Sequence, residues 1–86
     1  MDELTTHDHV LIALNQFSNG GSMAALLIHA QSMRPSTTRA YLYKVMAELR
    51  RRGQVRTENK QSPTQSRHYI TDRGRTYVRG LLHEEA

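Results

Sequence analysis

The chain has 86 residues, no cysteine and a formal net charge of +4. This length suits one domain with a single modest core and is too short for a substrate domain beside a cofactor domain. Without cysteine the chain forms no disulfide, no thiolate metal site and no cysteine nucleophile, which fits a reducing compartment.

The basic residues are concentrated in the second half of the chain. All 12 lysines and arginines lie between Arg34 and Arg79 with only 3 acidic residues, so this segment carries a formal +9 and the two ends carry −5. Such a concentration of positive charge suits a polyanion, because neutralising phosphates releases the counterions condensed on nucleic acid. The charge distribution therefore favours a nucleic-acid-binding protein.

The start of the sequence, Met1-Asp2-Glu3, is acidic and lacks the basic flank and apolar stretch of a signal peptide. No apolar run in the sequence approaches membrane-spanning length. We therefore expect a soluble, cytoplasmic protein associated with the nucleoid.

The first predicted helix covers about residues 7–17, with Thr5 or Thr6 as its cap and Asp8 in its first turn. Its apolar stripe contains Val10, Leu14 and Phe17. Gly20-Gly21 ends this pattern. A second helix is predicted over about residues 22–30, capped by Ser22, and its apolar run is expected in the core: Leu26, Leu27 and Ile28.

The third predicted helix covers about residues 36–52, after Pro35 and before Gly53. One face carries the core residues Leu42, Val45, Met46 and Leu49. The opposite face carries Thr37, Ala40, Lys44, Ala47 and Arg51. Its two alanines would let the helix approach a grooved surface closely, while its polar and basic side chains would bond to bases or phosphates.

An extended pattern follows Gly53 and predicts a hairpin over about residues 54–71, with strands at 54–58 and 67–71 and a long polar tip. Thr71-Asp72 then provides a capping signal for a C-terminal helix over about residues 72–83. The whole chain, residues 1–86, is predicted to be one domain. Its fold class is mainly α with a small β-hairpin (α+β), in the winged helix-turn-helix arrangement.

Two segments resemble the MarR and PadR families of transcriptional regulators. The run Leu49-Arg50-Arg51-Arg52-Gly53-Gln54-Val55 is similar to the end of their recognition helix, in which leucine, three residues, glycine and an apolar strand start follow one another. The segment from Arg67 to Gly74 resembles the sequence after their wing, in which an aliphatic residue is followed by threonine, two residues and glycine.

The resemblance implies that the third helix enters a DNA major groove and that the hairpin wing lies against the backbone or minor groove. It assigns groove-facing positions to Ser36, Thr37, Thr38, Tyr41 and Lys44. It places Arg34 or Arg39 near phosphate and Lys60 and Arg67 in the wing. With Arg51 from the outer helix face, these residues form the predicted DNA-binding set.

Two features of the sequence depart from these families. Where PadR-like chains often carry tyrosine three residues before the threonine, this chain carries His68. The long C-terminal dimerisation helices have no counterpart, so a homodimer would use the first helix, the C-terminal helix or both.

Catalytic and metal-binding patterns are lacking in the sequence. It has no glycine-rich phosphate loop and no recognisable pairing of serine with histidine. The close pair His7 and His9 is two residues apart, so its members point in different directions on a helix. We expect a non-enzyme without cofactor or metal.

The preferred functional hypothesis is a sequence-specific regulator that binds double-stranded DNA, acts as a repressor and forms a homodimer. One alternative is a winged-helix adaptor from a phage or plasmid, which would dock its basic face on an acidic protein and use Tyr41, Tyr43 or Tyr69 as an anchor. The other is an architectural or RNA-binding module that reads backbone shape.

Overall fold

The computed structural model describes residues 4–59 and 66–82 of the chain. The elements, in chain order, are α1 (Thr6–Gln16), α2 (Met23–Met33), α3 (Arg39–Arg51), β1 (Val55–Glu58), β2 (Arg67–Ile70) and α4 (Asp72–Leu82). This architecture confirms the predicted fold class, mainly α with a small hairpin. None of the helices in this described part has the length and apolar character needed to span a bilayer.

The core lies where α1, α2 and α3 meet the hairpin and α4. The first and third helices, α1 and α3, contribute the apolar stripes that their periodicity predicts. The side chains with the least exposure are Val10, Leu11, Leu14, Leu26, Leu42, Val45, Met46, Leu49 and Val78. Phe17 is only partly buried and packs against this cluster from the edge.

The second helix differs from its prediction in length and in the orientation of one residue. It continues to Met33, past its predicted end at about residue 30, and Arg34 is its C-cap. Its buried side chains are Met23, Leu26 and Ala30. Ile28 is 71% exposed, so the expectation that it lies in the core is wrong. Two residues beyond Leu26 on a helix, Ile28 points away from the buried face.

The third helix begins at Arg39, three residues later than the predicted start at residue 36. The Thr38 hydroxyl caps it by accepting a 3.1 Å hydrogen bond from the Tyr41 amide. Ser36, Thr37 and Thr38 all carry hydroxyls that suit a helix cap, and only Thr38 takes the cap position. Pro35 and Ser36 therefore form the turn before the helix, and Thr37 joins that turn to the cap.

Thr37 is 8% exposed, so the expectation that its side chain faces a groove is wrong. Its amide donates to the Arg34 carbonyl at 2.9 Å, and its own carbonyl accepts from the Gln31 Nε2 at 3.0 Å. These bonds hold Thr37 within the turn between α2 and α3.

The hairpin pairs β1 with β2 in antiparallel register, from Val55 opposite Ile70 to Glu58 opposite Arg67. A further bridge attaches β2 to the α1–α2 loop. The Gly21 amide donates to the His68 carbonyl, and the His68 amide donates to the Gly21 carbonyl, both at 2.9 Å. The α1–α2 loop thus fixes the hairpin against the helical core.

The start of α4 is fastened to the end of α3. The Thr71 hydroxyl donates to the Gly53 carbonyl at 2.6 Å and accepts a 3.1 Å hydrogen bond from the Gly74 amide. Gly53 has a φ of +77°, which glycine adopts without strain. A Cβ at Gly74 would overlap the Gln54 carbonyl. The threonine and glycine of the family-like motif are therefore positions where backbone segments pack closely.

Candidate nucleic-acid interface

The exposed face of α3 is narrow and basic, and it carries small side chains in its middle. Ala40, Lys44, Ala47 and Arg51 follow one another at helical spacing opposite the buried stripe, and all four are exposed. We call these four residues the α3 outer face. Arg39 at the helix start adds a further exposed cation. Such a face can approach a grooved polyanion closely, because no large side chain rises from its middle.

Tyr43 and Arg50 lie on the flank of α3 that faces the hairpin. They are seven residues apart, so they lie two turns apart on the same side. Arg50 donates from Nη1 to the Thr57 Oγ1 at 3.2 Å. The Tyr43 side chain is 47% exposed beside this bond. The space between α3 and the hairpin thus has a cationic and aromatic wall.

The opposite flank of α3 carries Tyr41 and Glu48. His7 on α1 contacts Glu48 through Nε2 and Oε1 at 2.7 Å, and Arg52 lies 3.8 Å from the other carboxylate oxygen. The hydrogen bond from His7, followed by the positive charges of His7, Arg52 and Arg51, lowers the pKa of Glu48. The single acidic side chain of α3 therefore lies beside the outer face and is held towards α1 and the C-terminal end of the helix.

The outer side of the hairpin carries Arg56, Glu58, Arg67 and Tyr69, whereas Val55, Thr57, His68 and Ile70 alternate onto the inner side. Arg56 contacts Glu58 at 2.9 Å and lies 4.3 Å from the centroid of the Tyr69 ring. Arg67 donates to the Gly20 carbonyl at 3.4 Å. The exposed arginines of the hairpin are thus oriented by local partners.

The predicted DNA-binding set divides into several groups. Arg39, Lys44 and Arg51 come together on α3, with Tyr41 on its α1 flank. Thr38 is the helix cap, and Ser36 is an exposed turn residue. Arg34 donates to the Leu4 carbonyl at 3.3 Å, and Arg67 lies on the outer side of the hairpin. Thr37 is buried. Lys60 lies outside the described residues.

The sequence prediction did not assign the residues between α3 and the hairpin. An open pocket of about 420 Å³ is lined by Met23, Tyr43, Arg50, Thr57, Asn59, Ser66 and His68. His68 is 4% exposed, and its Nδ1 lies 2.8 Å from the Thr57 Oγ1. The seven-residue spacing of Tyr43 and Arg50 could have predicted that both residues lie on the same side of α3. The pairing of Thr57 with His68 depends on the hairpin register, which the polar tip does not reveal.

Within residues 4–59 and 66–82, no three or more histidine, aspartate or glutamate side chains come together as a metal-binding group. Of the close histidine pair, His7 contacts Glu48, and His9 lines a separate shallow pocket with Leu4, Met33 and Arg34.

Three solved structures resemble this fold across nearly the whole chain. SSV1 F-93 has a TM-score of 0.75 and 20% sequence identity, over 94% of this chain and 86% of that protein. A MarR-family transcriptional regulator from Silicibacter pomeroyi has a TM-score of 0.70 and 25% identity, over 92% of this chain. The MarR-family transcription regulator SP03579 has a TM-score of 0.71 and 17% identity, over 95% of this chain.

This chain has a winged-helix fold of the MarR type. In that fold the hairpin formed by β1 and β2 is the wing. The chain covers only 50% and 52% of the two MarR-family regulators, so the likeness concerns one half of each of those proteins. No protein-family model and no curated protein sequence matches this chain.

Proposed function

We propose that this protein is a transcriptional regulator that binds double-stranded DNA with sequence specificity and inserts α3 into the major groove. The observation that carries this proposal is the α3 outer face, in which two alanines alternate with Lys44 and Arg51. It belongs to a fold whose solved relatives include MarR-family transcription regulators. The positive charge on the exposed face of α3 in a winged-helix fold supports a polyanionic partner.

The residues on and beside the α3 outer face would have different roles in DNA recognition. Ala40 and Ala47 would let the helix axis approach the floor of a groove that is about 12 Å wide. Lys44 would reach base edges, where a lysine donates to guanine acceptors. Arg39 and Arg51, at the two ends of the helix, would bond to phosphates and fix its register. Tyr41 would donate its hydroxyl to a phosphate on the α1 side.

The hairpin would lie against the DNA backbone or the adjacent minor groove. Arg67 on its outer side, and Lys60 in the tip outside the described residues, remain the proposed wing contacts. Arg34 remains a proposed phosphate contact, because its hydrogen bond to the Leu4 carbonyl is exposed and would be replaced by a bond to phosphate. Ser36 and Thr38 would donate to phosphates from the turn before α3, whereas Thr37 is no longer part of the proposed site.

A homodimer would place two α3 helices about one turn of DNA apart, ~34 Å, and would therefore select a short inverted repeat. The first helix and α4 remain the proposed dimer elements, and α4 presents an exposed Leu82 and a partly exposed Tyr77. Such a dimer on a promoter would repress by occluding polymerase. Sedimentation equilibrium with and without the duplex measures the stoichiometry and would contradict this arrangement if one monomer bound one site.

The decisive experiment is a fluorescence-anisotropy titration of the protein against DNA from immediately upstream of its own gene and against a scrambled duplex of equal length, at several salt concentrations. We expect a preference of at least ~1000-fold for the upstream DNA and a steep salt dependence. Equal, salt-sensitive binding to both duplexes would contradict specificity for this upstream DNA, and preference for RNA or single strands would contradict duplex reading.

Matched charge variants locate the interface. Lys44→Gln should weaken binding to the specific duplex more than to the scrambled one, whereas Arg51→Gln should weaken both about equally and reduce the salt slope by about one. Arg79→Gln removes the same charge from α4, which packs on α1 and β2, and should leave binding nearly unchanged as long as sedimentation shows that the variant keeps the oligomeric state of the unaltered protein. If Arg79→Gln were as damaging as the α3 variants, only net charge would matter and the α3 assignment would be wrong.

Failure to bind any duplex at low salt would overturn the DNA proposal itself. It would favour a module that docks its basic face on an acidic protein. Tyr41 and Tyr43 would then be the anchors, since 45% and 47% of their surface is exposed among the basic side chains of α3.

A further inference from the structure

The one acidic side chain of α3 is bound by a histidine from another helix. The Glu48 Oε1 lies 2.7 Å from the Nε2 of His7 on α1. The hydrogen bond from His7 lowers the pKa of Glu48, so the carboxylate is ionised at neutral pH and only accepts hydrogen bonds. The His7 Nε2 is therefore the donor. With side-chain exposures of 18% for His7 and 43% for Glu48, the contact lies at the edge of the packing between α1 and α3.

The first turn of α1 fixes the place of His7. Thr5 and Asp8, before and after His7 in the chain, form the capping box of this helix. The Asp8 carboxylate also accepts the 2.7 Å hydrogen bond from the Tyr77 hydroxyl of α4. These bonds hold the backbone around His7 at the helix start and against α4. His7 is thus a fixed point that orients the more exposed Glu48 side chain.

Three cations on α3 or at its end have the spacing needed to pair with Glu48. Lys44 lies four residues before it, Arg51 three residues after it and Arg52 four residues after it. Opposite charges at these spacings meet on a helix surface. Arg52 does so, with its guanidinium 3.8 Å from the second carboxylate oxygen. Within the described part of the chain, neither Lys44 nor Arg51 forms an ion pair.

The direction of the Glu48 carboxylate decides which of these cations remain available to a partner. Lys44 and Arg51 belong to the α3 outer face, whereas Arg52 lies further round the helix on the α1 side. The bond to His7 directs the carboxylate towards that side. A carboxylate released from His7 would pair with Lys44 or Arg51 and compete with DNA for them.

We propose that His7 is a positioning residue for DNA binding. It holds the Glu48 carboxylate on the α1 side of α3 and thereby keeps Lys44 and Arg51 unpaired for bases and phosphates. His7 itself touches no DNA in this arrangement. The role rests on the proposed DNA-binding function, and it adds to that function a residue outside the predicted DNA-binding set.

A purely structural role of His7 would give a different pattern of results. An ion pair at this exposure contributes little to folding, so its loss should leave the midpoint of urea denaturation nearly unchanged. A role through packing alone would lower the stability and would not depend on Glu48. The quantity that distinguishes the two roles is the coupling between His7 and Glu48 in DNA binding, which a double-mutant cycle measures.

Anisotropy titrations of the variants against the upstream and scrambled duplexes provide this cycle. His7→Ala should weaken duplex binding by about threefold or more and reduce the salt slope by up to about one, because Glu48 then pairs with a cation of the outer face. Adding Glu48→Gln to His7→Ala should restore the affinity, since the competing charge is gone. His7→Gln should bind like the unaltered protein, because its amide Nε2 donates to Glu48 in place of the imidazole.

A second double variant controls for net charge. His7→Ala with Asp72→Asn has the same formal charge as His7→Ala with Glu48→Gln, but it keeps the competing carboxylate. Asp72 is fully exposed at the start of α4. This variant should bind nearly as weakly as His7→Ala alone. Sedimentation and urea denaturation of every variant verify that the oligomeric state and the fold are those of the unaltered protein.

The contact itself is measured without DNA by a carbon-13 NMR titration of the Glu48 carboxyl group. His7→Ala should raise the pKa of Glu48 towards its ordinary value, whereas His7→Gln should keep it lowered. An unchanged pKa in His7→Ala would show that His7 does not hold this carboxylate in solution, and would overturn the proposed role of His7 whatever the DNA titrations gave.

Three further results would overturn the role of His7 and leave the DNA-binding function intact. The first is duplex binding by His7→Ala equal to that of the unaltered protein. The second is a loss that Glu48→Gln fails to restore, which would make His7 a structural residue. The third is an equal restoration by Asp72→Asn, which would show that only net charge matters. Absence of duplex binding by the unaltered protein would overturn the DNA-binding function and, with it, the role of His7.

Discussion

The hydroxyl of Tyr77 donates a 2.7 Å hydrogen bond to the Asp8 carboxylate and thereby joins α4 to the start of α1. The other carboxylate oxygen of Asp8 accepts from the Thr5 amide at 3.0 Å in a capping box. One buried carboxylate thus caps one helix and holds another. The hydrogen bond between Tyr77 and Asp8, followed by burial and the negative charge of Asp8, raises the pKa of Tyr77.

Tyr77→Phe should lower the free energy of unfolding by roughly 1–3 kcal/mol, because a buried carboxylate would lose one of its donors. Urea denaturation measures the change. Tyr41→Phe is the matched control, since it removes the hydroxyl of an exposed tyrosine on α3. Equal stabilities of the two variants would show that the contact between α4 and α1 contributes nothing measurable.

Gly74→Ala should destabilise the protein although alanine has the higher helix propensity. The new methyl group would overlap the Gln54 carbonyl and approach the Ile70 Cγ1 to 2.7 Å. Because the nearest obstacle is backbone, relief requires α4 to move away from the start of the hairpin. We expect a loss of about 1–3 kcal/mol, the usual cost of overpacking, measured as a lower midpoint of urea denaturation.

Gly80→Ala is the control on the same helix. A Cβ at this position would have no atom of the described residues within 4 Å, apart from its chain neighbours and the backbone of its own helix. The substitution should therefore stabilise the protein by up to roughly 1 kcal/mol through helix propensity alone. A stabilising Gly74→Ala would contradict the close packing of α4 on the residues after α3.

The helix boundaries at α1 and α4 could be predicted within one residue because their signals are local. Thr5 and Asp8 form the capping box of α1, and Thr71 caps α4 through the Gly74 amide. Apolar periodicity likewise identified the buried face of α3. Such signals need only the residues of one element and its immediate neighbours.

The rest of the fold and site depends on contacts between distant elements. An all-apolar stretch in α2 has no periodicity that distinguishes the buried Leu26 from the exposed Ile28. Three adjacent hydroxyl residues all suited a helix cap, and only tertiary packing decides that Thr37 is buried. The position of His68 beside Thr57 follows from the hairpin register, and its bridge to Gly21 joins residues 47 positions apart in the sequence.

Acidification should destabilise the fold through His68. Its pKa is lowered in the native state by burial and by Arg50, so protons bind the unfolded chain more readily. The stability is complete above the unfolded pKa of about 6.5 and is lost as the pH falls through that value towards the native one.

His68→Asn keeps an acceptor for the Thr57 hydroxyl without a titrating ring, so its stability should depend less on pH. Urea denaturation of both proteins between about pH 7.5 and pH 5 isolates the histidine contribution, because carboxylates titrate mainly below this range. A variant with the same pH dependence as the unaltered protein would show that another group controls acid sensitivity.

Ala47→Leu tests whether the α3 outer face must approach its partner closely. Leucine has a helix propensity near that of alanine and changes no charge, so α3 should persist and the salt slope should remain the same. The added bulk would hold the helix away from base edges, and we expect specific affinity to fall by about tenfold or more. Anisotropy titrations with upstream and scrambled DNA separate this loss from any change in non-specific binding.

Ala24→Leu provides the control for Ala47→Leu, because it makes the same change at an exposed position of α2, which belongs neither to the proposed interface nor to the proposed dimer elements. This variant should bind both duplexes like the unaltered protein. If Ala47→Leu also retained full specific affinity, no base would lie close to the middle of α3. The positive charge of the helix would then act only at a distance, and a close fit in the major groove would be excluded even if Lys44 and Arg51 still contributed to binding.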